Sequence, residues 1–173
     1  ITQAPPIPQP LDGLYFSDGY VYAPDPAEPY IPHSSPHLAV FLADGSGPSV
    51  GPLQLGEIGD GSYSQYSAFW FDAYSAWLGC DDAGPESCTI VMSAYVWDES
   101  AQNQTQAYSQ NATIVPCPTL KGCSLQKVNF PTSFRQLSGL KMQAFVGNKQ
   151  KMFFLDDLTF AWSNNTCQAA STR

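Results

Sequence analysis

With 173 residues, 43% of them hydrophobic and 13% aromatic, the chain is long enough for an ordinary core and too aromatic to be disordered. Only 13% of its residues are charged, and the formal net charge of -8 argues against nucleic acid as a partner. No uninterrupted apolar run reaches the roughly 18 residues of a membrane-spanning helix.

Residues 1–36 carry Pro5, Pro6, Pro8, Pro10, Pro24, Pro26, Pro29, Pro32 and Pro36. That density excludes a helix and long regular strands, because proline lacks the N–H that either would use. An aromatic island at residues 14–22 is expected to place short extended pieces of this arm on a β core, with bends at Gly13 and Gly19. Strand-like runs then recur between turn clusters, the pattern of a sandwich. His37–Leu42 is a short apolar run ended by residues 43–47, which include Asp44-Gly45. Tyr66–Trp77 reads as an aromatic strand pair or one long bent strand. Thr89–Asp98 is the cleanest strand; 104–115 is a polar one; Ser124–Phe130 and Gly139–Val146 alternate; Met152–Trp162 closes the chain. Turn signals at Asp60-Gly61 and Gly147-Asn148 sit where hairpins need positive φ. The expected architecture is all-β, a two-sheet antiparallel β-sandwich spanning 1–173 as one domain with the Pro-rich arm packed on it.

Five cysteines suit an oxidising compartment. Cys80 and Cys88 flank the acidic turn Asp81-Asp-Ala-Gly-Pro-Glu-Ser, and Cys117 and Cys123 flank Pro-Thr-Leu-Lys-Gly. Each is paired with its loop neighbour; the spacings are those of neither a zinc ribbon nor a thioredoxin motif. Cys167 is left over, as a free thiol or as the point of a covalent bond to a partner. Asn103, Asn111 and Asn164 head N-glycosylation sequons. Three sequons with this composition predict a secreted, extracellular glycoprotein. No signal peptide is recognisable, so a mature or trimmed form is expected.

The acids and bases are segregated. Residues 1–120 contain no Lys or Arg, and all seven basic residues lie between Lys121 and Arg173. The simplest consequence concerns solubility rather than fold.

In the last run, strict alternation would put Phe154, Asp156, Leu158, Phe160 and Trp162 on one face. A carboxylate among large apolar side chains needs a cation or several hydrogen bonds. Calcium, bound through oxygen ligands, is one solution, and donation by backbone N–H groups or a local lysine is the other. The pattern Gly139-Leu-Lys-Met-Gln-Ala-Phe through Phe154-Leu-Asp-Asp-Leu-Thr-Phe resembles the closing strands of calcium-stabilised jelly-roll carbohydrate-binding modules. The segments Asp12-Gly-Leu-Tyr-Phe-Ser-Asp-Gly-Tyr-Val-Tyr and Ser67-Ala-Phe-Trp-Phe-Asp-Ala-Tyr also resemble secreted fungal proteins. The resemblance covers about a third of the chain. It implies a jelly-roll-like fold, a structural calcium site to which Asp156 contributes, and a polysaccharide or glycan ligand. The Phe-Asp-Asp-Leu-like strand that such modules carry near their start is missing here.

Four Trp and nine Tyr exceed the needs of one core. Sugars stack their C–H faces on aromatic rings while flanking polar groups bind hydroxyls. If Phe69 and Phe71 face the core, then Trp70, Asp72 and Tyr74 form an exposed row, the first platform expected. Tyr20 and Tyr22, presented by the arm, are the second.

For catalysis the signals are thin. His33 and His37 lie in a Pro-Ser stretch where solvation is the usual fate. No Gly-x-Ser-x-Gly elbow is present, and no spacing selects a pair among Asp72, Glu57, Asp60, Asp98 and Glu99. The function expected is therefore non-catalytic glycan binding. The alternatives are a small glycan-active hydrolase or lyase and a cell-surface structural or interaction protein.

Overall fold

The computed structural model describes residues 4–23, 29–43 and 53–173. In chain order its strands are β1 (Tyr15–Phe16), β2 (Tyr20–Tyr22), β3 (Tyr30–Ile31), β4 (Ala39–Phe41), β5 (Glu57–Gly59), β6 (Phe71–Cys80) and β7 (Cys88–Asp98). There follow β8 (Asn103–Ile114), β9 (Cys123–Ser124), β10 (Gln126–Asn129), β11 (Gly139–Val146), β12 (Lys149–Lys151) and β13 (Phe153–Trp162). A four-residue helix, Cys167–Ala170, ends the fold.

Two sheets pack face to face. The first runs β1-β5-β11-β7-β8 with β12 hairpinned onto β11; the second runs β10-β6-β13-β4-β2. All pairings within them are antiparallel, and the parallel β3–β9 bridge lies outside both. The fold is an all-β sandwich, as the recurring strands and turns imply.

Alternation explains the first sheet. On β7, Ile90, Met92 and Ala94 point inward and meet Leu140, Met142 and Ala144 of β11 in the core. Their neighbours Val91, Ser93 and Tyr95 turn outward and are only half-buried. The β11–β12 hairpin turns on Gly147-Asn148, with Gly147 at φ 56° as the tight loop requires.

The second sheet is apolar on both faces at one end, which explains the unbroken run at 38–42. Tyr20, Phe41 and Phe153 lie side by side in the main core. The next register row, Val21, Val40 and Phe154, faces the other way into a second apolar cluster with Leu38, Leu42, Tyr30 and Leu125. The arm and β3 thus cover the outer face, and Tyr30 anchors them: its hydroxyl accepts from Cys80 N and donates to Cys80 O, each at 3.1 Å. Pro24, Pro26 and the expected turn at Asp44-Gly45 lie outside the described residues.

The two disulfides are those paired by loop neighbourhood, Cys80–Cys88 and Cys117–Cys123. Cys167 is free and exposed. Among the described residues no helix is long and apolar enough to cross a membrane.

Three local expectations are corrected. Residues 67–69 form a 3-10 turn, so Trp70 precedes β6 instead of lying in an extended row. On β6 the alternation slips between Ala73 and Ala76, both of which are core residues, so Trp77 turns outward. On β13 a bulge between Asp156 and Thr159, with Asp157 at φ 46°, breaks the strict period. Phe153 and Leu155 face the main core before it; Leu158, Phe160 and Trp162 pack on that core after it. Asp156 therefore shares a face with Phe154 and not with Leu158, Phe160 and Trp162.

Candidate glycan-binding groove

The edge strand β8 faces the segment that follows β10, and an open groove of about 460 Å³ lies between them. Trp70, Trp97, Tyr108, Arg135 and Gln136 line it together with Thr132 and Ser133. Its volume falls within the usual range of small-ligand sites, as does its mixture of rings with a few polar groups.

Each wall is held from behind. The Trp70 indole donates Nε1–H to Ser64 O at 2.8 Å, and its backbone carbonyl accepts from Ser163 N at 2.9 Å. Leu137 and Phe71 exchange backbone hydrogen bonds of 2.8 and 2.9 Å, which pins the far wall to β6. Asp72 Oδ1 accepts from Gln136 N at 2.9 Å and from Ser163 Oγ at 2.5 Å. Tyr74 lies under Arg135, whose Cζ is 4.3 Å from the ring centroid, a cation–π contact. Arg135 Nη1 donates to the carbonyls of Ala73 and Phe134 at 2.6 and 2.9 Å. The guanidinium is thus fixed through one nitrogen, and its Nε–Nη2 edge meets no acceptor among the described residues.

The three residues expected as a platform come together in a different way from the row. Trp70 lines the groove, whereas Asp72 braces its wall and Tyr74 supports its arginine. Trp97 and Tyr108 were visible only as part of the aromatic surplus. Tyr108 is 47% exposed, and the Trp97 Nε1–H is buried without an acceptor among the described residues. Arg135 and Gln136 had no sequence signal, because a polar loop after a strand is unremarkable until it folds against aromatic rings.

The second expected platform is not a surface. Tyr20 is 2% exposed, and its hydroxyl donates to Gly56 O at 3.1 Å. Burial, then the Glu57 charge, raises its pKa well above the ordinary phenol value. The arm's bends bring this ring inward because β2 joins the second sheet with Tyr20 opposite Phe41. Tyr22 is half-buried beside His37, at 5.9 Å between ring centroids, and lines a separate cavity of about 300 Å³ with Leu158 and Phe160.

Asp156 is met by hydrogen-bond donors. Ser34 N and Asp157 N each donate to it at 2.9 Å, and Ser34 Oγ, whose single proton goes to the nearer Asp157, lies 3.2 Å away. That is the hydrogen-bonded solution to its burial. Among the described residues there is no cluster of three or more His, Cys, Asp or Glu arranged to hold a metal. Asp157 accepts from Ser34 Oγ and pairs with His33 Nδ1, both at 2.6 Å, and these two contacts, the hydroxyl first, hold its pKa below the usual value. His33 also stacks on Trp77, with centroids 3.7 Å apart. The two histidines therefore serve different neighbours. Asp98 caps the following turn by accepting from Ser100 N and Ala101 N. Of the sequon asparagines, Asn103 and Asn111 are exposed, and Asn164 is half-buried and accepts from Thr166 Oγ1 at 2.9 Å.

These features define a β-sandwich with an aromatic, arginine-bearing groove at one open side. The whole chain, residues 1–173, matches the family model described as Domain of unknown function (DUF7371), and the protein belongs to that family. No curated protein matches the chain.

Proposed function

We propose that the protein is a secreted, glycosylated, non-catalytic glycan-binding domain whose ligand lies in the groove of Trp70, Trp97 and Tyr108. The observation that carries this reading is the composition of that groove. Pre-positioned rings offer flat apolar faces for sugar C–H groups, while the Arg135 edge and the Gln136 side chain offer donors to hydroxyl oxygens. The bracing of Arg135 and Gln136 by Tyr74 and Asp72 lowers the ordering cost of binding. The two disulfides and the exposed sequon asparagines 103 and 111 agree with an extracellular setting. The Glu57 and Asp60 carboxylates are fully enclosed, so a polymer cannot reach them as an acid–base pair.

The test is retention of the purified protein on insoluble chitin, cellulose, β-glucan, α-glucan and bacterial cell wall. Retention on at least one polymer is expected, with loss in Trp70→Ala and Tyr108→Ala. If a sugar on a ring is worth what an aromatic pair is, about 0.5–1.5 kcal/mol, each variant should weaken binding roughly two- to ten-fold. Passage through every polymer, or retention indifferent to both variants, refutes the proposal.

A further inference from the structure

Where β5 pairs with β11, Glu57 and Asp60 bracket Ile58 and Gly59, and the two acids are 0% and 1% exposed. Glu57 is partly satisfied: its Oε2 accepts from Gln54 N at 2.7 Å, and the Gln104 side chain also hydrogen-bonds to the carboxylate. Asp60 Oδ1 and Oδ2 are both buried and meet no hydrogen-bond partner among the described residues. The backbone makes room for these groups. A Cβ on Gly139 would overlap Glu57 Oε1, and one on Gly59 would sit 2.5 Å from Ser138 O. The nearest cation, Lys141, is paired with Glu57 across the ladder, but its Nζ donates to Gln54 Oε1 at 3.3 Å on the exposed side.

Orphaned buried carboxylates are rare because each forfeits hydration without a replacement. Two remedies exist, a proton or a cation. A single proton carried by Asp60 and donated to Glu57 leaves the other Asp60 oxygen orphaned. A divalent cation engages both Asp60 oxygens together with Glu57 and cancels both charges. Oxygen-only ligands select a hard ion, and Ca²⁺ tolerates irregular oxygen shells completed by carbonyls or water, whereas Mg²⁺ demands a near-ideal octahedron.

We propose that Glu57 and Asp60 hold one Ca²⁺ ion where β5 pairs with β11, in the first sheet and apart from Asp156, which lies in the second. Burial, followed by the charge of Glu57, raises Asp60 to about 9; burial also raises Glu57, against the hydrogen bonds from Gln54 and Gln104 and the charge of Lys141. Those shifts describe the same uncompensated charge that the ion would cancel.

The experiment is Ca²⁺ titration of the full chain after EDTA treatment, followed by calorimetry and native mass spectrometry, with melting temperature read in parallel. One ion per chain is expected for wild type and for Asp156→Asn, with affinity within the range of extracellular modules, about 0.1–1 mM or tighter. Asp60→Asn and Glu57→Gln should each weaken binding about 100-fold or more and make the melting temperature indifferent to EDTA. No ion bound by wild type at millimolar Ca²⁺ overturns the proposal and leaves the pair to share a proton. So does loss of the ion in Asp156→Asn, or undiminished affinity in folded Asp60→Asn or Glu57→Gln. If neither acid variant folds, the wild-type and Asp156→Asn titrations decide.

Discussion

Gly79→Ala tests how the Pro-rich arm is fastened to the sandwich. Gly79 lies on β6 opposite Phe154 of β13, and the face it presents is covered by the Tyr30 ring. A Cβ there would stand 2.7, 2.7 and 2.8 Å from Tyr30 Cε2, Cζ and Cε1. Carbon pairs rest at about 3.5–4.0 Å, so the ring must retreat by roughly 0.8 Å. Its hydroxyl sits 3.1 Å from both Cys80 N and Cys80 O, and the same retreat stretches both bonds past useful length. Overpacking costs about 1–3 kcal/mol, and the strained or lost hydrogen bonds add about 1–3 kcal/mol. The expected destabilisation is about 2–6 kcal/mol, a fall in melting temperature of roughly 5–20 °C for a domain of this length. Thermal and urea unfolding followed by circular dichroism measure it. In a Tyr30→Ala background the same change should cost under about 0.5 kcal/mol, because alanine suits a strand better than glycine once the ring is gone. Equal penalties in the two backgrounds would refute the role assigned to Tyr30.

Two further outcomes follow from the buried groups. Asp60 has its folded pKa raised from 3.8 to about 9, so in metal-free protein its stabilising effect is complete below its unfolded value and is lost as pH rises toward 9. In EDTA, the stability of wild type relative to Asp60→Asn should therefore fall between about pH 5 and pH 8; a difference that stays flat contradicts the burial of that carboxyl. Asp157, with its pKa lowered, has the opposite sign, its stabilisation being lost on acidification below the usual carboxylate range. Replacing Cys80 and Cys88 together by alanine opens a loop of sequence separation 8, and loop-closure entropy puts the cost at about 2–3 kcal/mol. Unfolding in non-reducing buffer should register that loss, and an unchanged midpoint would mean the hairpin is closed without the bond.

What could be read from the chain divides along the range of the forces involved. Gly139–Val146 is a strand over the bounds that alternation assigns it, because both ends are turns and one face is uniformly apolar. The disulfides were legible for the same reason, each closing a short local loop. The bulge at Asp157 was not. A non-glycine residue at positive φ carries no signature, and this one is held by Ser34 and His33, more than 120 positions away. That long-range clamp also explains why Asp156, read along its own strand, looked stranded among Leu158, Phe160 and Trp162 when one of its donors, Ser34 N, comes from the arm. The groove follows the same logic. Trp70 stood out as a surplus ring, but its partners arise where β8 and the 131–136 segment converge, and neither stretch has a periodicity that points to the other. Tyr20 shows the converse: exposed by its proline-rich context, it is buried because β2 completes the second sheet. Aromatic content therefore identifies how many rings the core leaves over, while the positions where alternation fails show which rings those are.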